Sequence, residues 1–361
     1  MTAPKIEHEI SLSEPLAQVG RIHVQFRGRK LIYFGGCDYY RLASNAHLKK
    51  IAMRALQQDG LNVAASRVTT GNHPIYEQLE AALRVFFKVN EALVTSTGYT
   101  ANLVIAQALA GEFSHIMIDE HAHASLKDAA QFFNCPIIEY KHRDPIHAAQ
   151  GVARCGKFAR IALLTDGVFA HDGRIAPLPE LMRVLSSDGM LLLDDAHGAG
   201  VLGKNARGTA EHFSIRDKRM VRSITLSKAF GAFGGAVLAS KKLCERIVSH
   251  SRLFAGSTPP PLPLAKAAIY ALANVQGDAS LRARLKRNTK MIGREFPITA
   301  VVPKSDSQAL HLKRDLLKAG IFPSLIHYPG GLRTAYFRFA ISSEHTPEQI
   351  ERLLAVVRKY Q

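Results

Sequence analysis

S-I-T-L-S-K-A-F-G-A-F-G-G, residues 223–235, is the stretch from which the chain is read outward. Apolar residues lead into Thr225, Ser227 and Lys228, and a glycine-rich turn follows. The pattern predicts the end of a strand that delivers Lys228 into a cleft, with glycines letting backbone approach a ligand closely. A lysine taken at random is solvated. This run carries no other charge, so Lys228 is expected to be partly desolvated. Desolvation disfavours the ammonium form and leaves an amine able to form a Schiff base.

Upstream lies M-L-L-L-D-D-A-H-G-A-G, residues 190–200. An apolar run ending in Asp194, Asp195 and His197 predicts a buried strand with polar groups at its carboxyl end, where α/β sheets bind ligands. Enzymes that use pyridoxal 5′-phosphate (PLP) need a lysine for the cofactor aldehyde and a carboxylate for the pyridine nitrogen. Lys228 and Asp194 supply that pair.

Three further stretches carry candidate site residues. E-A-L-V-T-S-T-G-Y-T-A-N-L (91–103) reads as strand, turn and helix, with Thr97, Gly98 and Tyr99 at the helix N-terminus. Free N–H groups and the helix dipole there suit a phosphate, and N-capping by Ser96 or Thr97 explains the same residues. H-I-M-I-D-E-H-A-H-A-S-L (115–126) is another strand-to-helix junction, where Asp119, His121 and His123 invite a metal reading. A-S-R-V-T-T-G-N-H-P-I-Y-E-Q-L-E (65–80) leads into a helix with Ile75, Leu79 and Leu83 on one face. Arg67, Asn72 and His73 are either site residues or members of a capped loop. Gly198, Gly200 and Gly203 fit G-x-G-x-x-G, but Lys204–Gly208 interrupts where a dinucleotide site needs a helix, so that reading is rejected.

In this order and spacing the stretches resemble the α-oxoamine synthases, fold-type I PLP enzymes, from about Tyr33 to about Leu354. The resemblance implies an α/β fold: a large domain with a mainly parallel seven-stranded sheet, and a smaller C-terminal α/β domain. The expected divisions are an N-terminal arm (1–45), a large PLP-binding domain (46–265), and a linking helix with the small domain (266–361). The linking helix is expected to run unbroken from 264 to about 289.

The resemblance also implies roles. His123 would stack on the cofactor ring, and His197 would bond its phenolic oxygen. Thr97, Gly98, Tyr99 and Thr225 would belong to the cofactor site. F-A-G-S-T-P-P-P-L-P (254–263) matches a segment through which a homodimer partner lends Ser257 or Thr258 to the phosphate. Its prolines equally suit a helix start or a polyproline ligand. Arg338, in Y-F-R-F-A-I (336–341), would hold the substrate carboxylate, with Asn72 and His73 nearby. The implied reaction is a decarboxylative condensation of a small amino acid with an acyl thioester, on coenzyme A or an acyl carrier protein. L-Alanine with a pimeloyl thioester, the condensation of biotin biosynthesis, is favoured, and glycine or serine are the alternatives. Departures from the family pattern are Cys37–Arg41, Ala170 in place of a cofactor-facing serine, and a short segment from Phe296 to Gln308.

The 361 residues suffice for a large core, and 47% are hydrophobic. The formal charge of +17, from 47 Lys and Arg against 30 Asp and Glu, would draw an anionic thioester. Without a nucleic-acid-binding motif it gives no reason to expect a nucleic-acid partner. Cys37, Cys135, Cys155 and Cys244 are scattered, and no apolar run reaches about 18 residues, so a cytoplasmic enzyme without a membrane span is expected. The competing class is a metal-dependent hydrolase built on Asp119, His121, His123, Asp194, Asp195 and His197, which leaves Lys228 without a role.

Overall fold

The computed structural model describes residues 12–326 and 334–360. Residues 1–11, the start of the expected arm, lie outside the described residues. The chain opens with an antiparallel sheet of β1 (Ala17–Val19), β2 (His23–Phe26) and β3 (Arg29–Ile32). The β2–β3 hairpin turns on Arg27 and Gly28, both at positive φ (47° and 74°), the backbone that a tight two-residue turn requires.

The central sheet contains β4 (Glu91–Thr95), β5 (His115–Asp119), β6 (Ile137–Tyr140), β7 (Ile161–Asp166), β8 (Met190–Asp194), β9 (Met220–Thr225) and β10 (Gly235–Ala239). Its seven strands lie in the order β4-β10-β9-β8-β7-β5-β6, and β10 runs against its neighbours. Helices cover both faces, so the inner strands are apolar throughout rather than alternating. Every residue of β7 and β8 is buried. The register sets Asp166 beside Asp194 and Asp194 beside Ser223, while Gly235 faces Thr95 and Thr225. The polar ends of four parallel strands therefore meet along one edge.

The predicted linking helix is two helices, Leu262–Gly277 and Ala279–Met291. Asp278 divides them: its extended ψ of 89° ends the first, and its carboxylate accepts from Leu281 N at 3.1 Å to cap the second. A small antiparallel sheet follows, of β11 (Ile298–Val301), β12 (Leu325–Ile326) and β13 (Tyr336–Ala340), in the order β11-β13-β12. The N-terminal strands are stitched into this layer. Ile32 N donates to Gly320 O at 2.8 Å, and Ala340 N donates to Phe34 O at 2.6 Å. Ile32 and Phe34 share a core with Leu312, Phe337, Phe339 and Leu353. The two ends of the chain thus form one layer beside the polar edge of the central sheet.

Candidate active site

Lys228 follows β9 in a turn closed by Gly231 N to Lys228 O (3.0 Å) and Leu226 N to Gly234 O (2.9 Å). The glycines after it were expected to face a ligand. They face protein instead. Gly231 sits at φ 59°, and a Cβ there would lie 2.3 Å from Ala43 N. A Cβ on Gly235 would lie 2.3 Å from the Thr97 carbonyl carbon, so this glycine lets β10 back directly onto the turn at the head of the Gly98–Ala108 helix. Lys228 is partly buried. Burial first, opposed by Cys37, Asp194 and Asp166, holds its amine below the usual lysine range. No hydrogen bond or ion pair engages that amine among the described residues.

Asp194, at the end of β8, is buried and clasped. Its Oδ1 accepts from Ala196 N at 3.0 Å, and its Oδ2 from Asn102 Nδ2 at 2.7 Å and Ser125 Oγ at 3.5 Å. Asn102, fully buried in the Gly98–Ala108 helix, also donates to Ser125 Oγ (2.9 Å) and accepts from Ser223. Ser125 ties the network to His123: its hydroxyl lies 2.7 Å from His123 Nδ1, and its N–H donates to the same nitrogen at 3.2 Å. His123 N donates to Asp166 Oδ2 at 2.8 Å. Burial, then the neighbouring Asp194, pushes the Asp166 carboxyl well above the usual range, while burial lowers His123.

His197 is buried, with Nδ1 2.7 Å from Tyr39 Oη. Burial, then Lys228, drives it well below the usual histidine range, so the ring is neutral. Arg338 reaches across from β13 and donates to Ala170 O at 3.3 Å, tying the small layer to the loop after β7. The Arg338 guanidinium there lies close enough to act electrostatically on Lys228 and His197.

Thr97 caps the Gly98–Ala108 helix through a reciprocal bond pair with Thr100. The first-turn N–H groups of such a helix have no intrahelical acceptor. Gly98 packs on Thr225, whose Cβ would lie 2.8 Å from a Cβ on the glycine. Tyr99 donates its hydroxyl to Asp128 and sets its ring edge-on to His123 at 6.1 Å. Ser257 donates to Leu253 O, and Thr258 O accepts from Ser96 Oγ at 2.6 Å. His73 caps the Pro74–Phe87 helix by accepting from Ile75 N at 3.2 Å. Asn72 accepts from Arg67 Nε at 2.9 Å, and Arg67 pairs with Glu80. In this chain the polar atoms of His73, Asn72 and Arg67 hold their own loop together.

The hydrolase set does not assemble. Asp195 turns to Thr209, accepting from its N–H at 3.0 Å and its hydroxyl at 2.6 Å, with Arg222 at 3.7 Å. Asp119 accepts from His121 N, His142 Nδ1 and Arg143 N. Among the described residues the cluster with metal-ligand spacing is His121, His142 and His171. Asn102, Ser125, Asp166 and Tyr39 were not anticipated as site residues. A buried Asn on the apolar side of its helix was the available signal for Asn102.

These groups fit PLP: a buried amine held below its usual range, a braced carboxylate, and a helix head closely backed by β9 and β10. The family model Aminotransferase class I and II matches residues 29–357. The chain is 35% identical to an 8-amino-7-oxononanoate synthase of Hahella chejuensis, over 93% of this chain and 89% of that protein. It is 34% identical to one of Thioalkalivibrio sulfidiphilus, over 91% and 87%. Among solved structures, a serine palmitoyltransferase of S. paucimobilis with bound PLP matches at TM-score 0.89 and 26% identity, covering 96% of this chain and 93% of that one. The 8-amino-7-oxononanoate synthase of Francisella tularensis matches at TM-score 0.78 and 27% identity, over 91% and 97%. The chain therefore belongs to the aminotransferase class I and II family, as a PLP-dependent acyltransferase of the α-oxoamine synthase group.

Proposed function

We propose that the chain condenses L-alanine with a pimeloyl thioester, releasing carbon dioxide and the thiol and forming 8-amino-7-oxononanoate. The observation that carries this reading is the meeting of Lys228, Asp194 and Arg338 at one seam, in a chain whose curated relatives bear that enzyme's name at about one-third identity.

PLP, when bound, supplies an aldehyde for the substrate amine and a ring that accepts electrons from its α-carbon. Lys228 would hold the cofactor's aldehyde and, as a neutral amine, would take the proton from Cα of the amino acid. Asp194, its direction fixed by three donors, would hold the pyridine nitrogen and favour its protonated form. Arg338 binds the amino acid's carboxylate through its planar fork. His123, oriented by Ser125, would pack against the cofactor, and His197, oriented by Tyr39, would offer it a hydrogen bond. Thr97, Gly98, Tyr99 and Thr225 form the phosphate end. Asn72 and His73 border the substrate entrance.

A homodimer completes the site, with the partner lending Ser257 or Thr258 to the phosphate. Exposed Leu61 and Val68 support such an interface. The residues divide functionally into an arm (1–45), a PLP-binding domain (46–265) and a linking and small domain (266–361). The thioester is carried on coenzyme A or an acyl carrier protein, drawn by the basic surface. Free Cys37, Cys135, Cys155 and Cys244 support a reducing, cytoplasmic setting. Among the described residues no helix is long and apolar enough to cross a membrane.

The higher backbone similarity to serine palmitoyltransferase favours a second reading, in which L-serine replaces alanine. The greater sequence identity to the oxononanoate synthases weighs against it. The test crosses L-alanine, glycine and L-serine with pimeloyl-CoA, a pimeloyl carrier protein and palmitoyl-CoA, reading thiol release and carbon dioxide. Alanine with a pimeloyl thioester is expected to exceed every other pair. Faster turnover of serine with palmitoyl-CoA would overturn the assignment.

A further inference from the structure

Strand order brings together three histidines that the sequence keeps apart. β5 lies between β7 and β6, so the loops leaving their carboxyl ends are neighbours. The loop after β5 carries His121, the loop after β6 carries His142, and the loop after β7 carries His171. One ring nitrogen from each lies within 4.8 Å of the others. The rings pack at centroid separations of 4.5, 5.3 and 5.4 Å.

Ring packing alone does not account for the nitrogens. His121 Nδ1 and His142 Nε2 are buried and have no hydrogen-bond partner among the described residues. The cause at His142 is visible. Asp119, fully buried, accepts from His142 Nδ1 at 2.9 Å and uses its remaining capacity on His121 N (2.9 Å) and Arg143 N (2.8 Å). Asp119 thereby engages Nδ1 of His142, and Nε2 is left as its unpartnered nitrogen. A carboxylate that orients an imidazole in this way is the usual second partner of a metal-bound histidine. His171 is 9% exposed, and its Nε2 stands 3.5 Å from Asp172 Oδ2.

We propose that His121, His142 and His171 bind one borderline divalent cation of the zinc, cobalt or nickel type, with Asp119 as the residue that positions His142. Three imidazoles select such ions over magnesium or calcium. A tetrahedral ion with metal–nitrogen bonds of about 2.0–2.1 Å needs its ligands about 3.3 Å apart, so the widest pair must close by at most roughly 1.5 Å. Loop side chains accommodate that shift. The fourth position is open to water. The ion would clamp the turn leading into His123 to the loop whose Ala170 carbonyl holds Arg338, and so brace two walls of the PLP site from outside.

The test uses full-length, PLP-loaded protein. Cobalt(II) is titrated in, and the tetrahedral d–d absorption and the bound metal after desalting are read, with zinc as competitor. One ion per chain is expected. His171→Ala and His121→Ala should each weaken binding at least tenfold, and Asp119→Asn should weaken it about ten- to hundredfold. Ions held by PLP or by stray surface histidines would be unaffected by these changes. Binding below one-tenth of an ion per chain, or equal affinity in His171→Ala, overturns the proposal. His171→Gln keeps the volume of the site, and circular dichroism of each variant without metal separates lost folding from lost coordination.

Discussion

Asp119 and Asp194 end two parallel strands of one sheet, are both buried, and each accept three hydrogen bonds from protein groups. In the sequence they look alike: an acid after a run of apolar residues. Their neighbours separate them. The donors to Asp194 are a backbone N–H, an amide and a hydroxyl, all neutral, and they aim the carboxylate at the space beside Lys228. The donors to Asp119 include the imidazole of His142, so its orientation passes to a second side chain. One strand end presents a charge, and the other uses its charge to present a lone pair. What a strand-end carboxylate can do therefore depends on the partners it holds.

The largest expected effect removes the group that Asp194 faces. Lys228→Ala should lower turnover by roughly 10³-fold or more, the scale of a lost proton-transferring group, and should abolish borohydride-stable attachment of the cofactor. Retained turnover would break the assignment of that strand end. Next is the pair itself. Asp194→Asn removes a charged contact worth about 3 kcal/mol, so turnover should fall on the order of 100-fold. Asp119→Asn should lower turnover far less than Asp194→Asn and act mainly on cation binding. Equal losses of turnover would erase the distinction between the two strand ends. Arg338→Lys exchanges a fork for a point charge, and KM for the amino acid should rise about 10- to 100-fold with a smaller change in kcat. A pure kcat effect would move Arg338 from substrate binding to support of the loop at Ala170.

How far the sequence reaches follows from the same contrast. M-L-L-L-D-D-A-H and S-I-T-L-S-K announce buried strands ending in chemistry because apolar runs and their polar ends are local patterns. Lys228 and Asp194 were legible for that reason, whereas His123 and Arg338 were legible only through the family resemblance. The break at Asp278 is also local, yet it was hidden by helix-forming residues on both sides. Asn102 and Ser125 are short polar side chains in helical stretches, and only the fold shows that they clasp Asp194. The three-histidine corner depends on β5 lying between β6 and β7, and no periodicity in the chain encodes that neighbour order. His142 therefore carried no signal, and His121 pointed toward partners it does not have.

A last contrast sets His142 against His345. His345 is also buried, but both its nitrogens are matched: Nδ1 accepts from Ser342 N at 2.9 Å, and Nε2 donates to Tyr33 O at 3.2 Å. Protonating Nδ1 would set two N–H groups against each other. Burial, then Arg41, lowers this histidine from 6.5 to about 3. Between those values the unfolded chain binds the proton and the folded chain does not. Stability contributed by the neutral ring is therefore complete above about pH 6.5 and declines as pH falls toward 3. The slope from one such proton is about 1.4 kcal/mol per pH unit. His345→Gln should lower stability at pH 7 yet flatten that slope in urea unfolding, when wild type and variant are compared pH by pH. Parallel curves for the two proteins would mean that the ring takes up its proton in the folded state, and that its matched bonds do not keep it neutral.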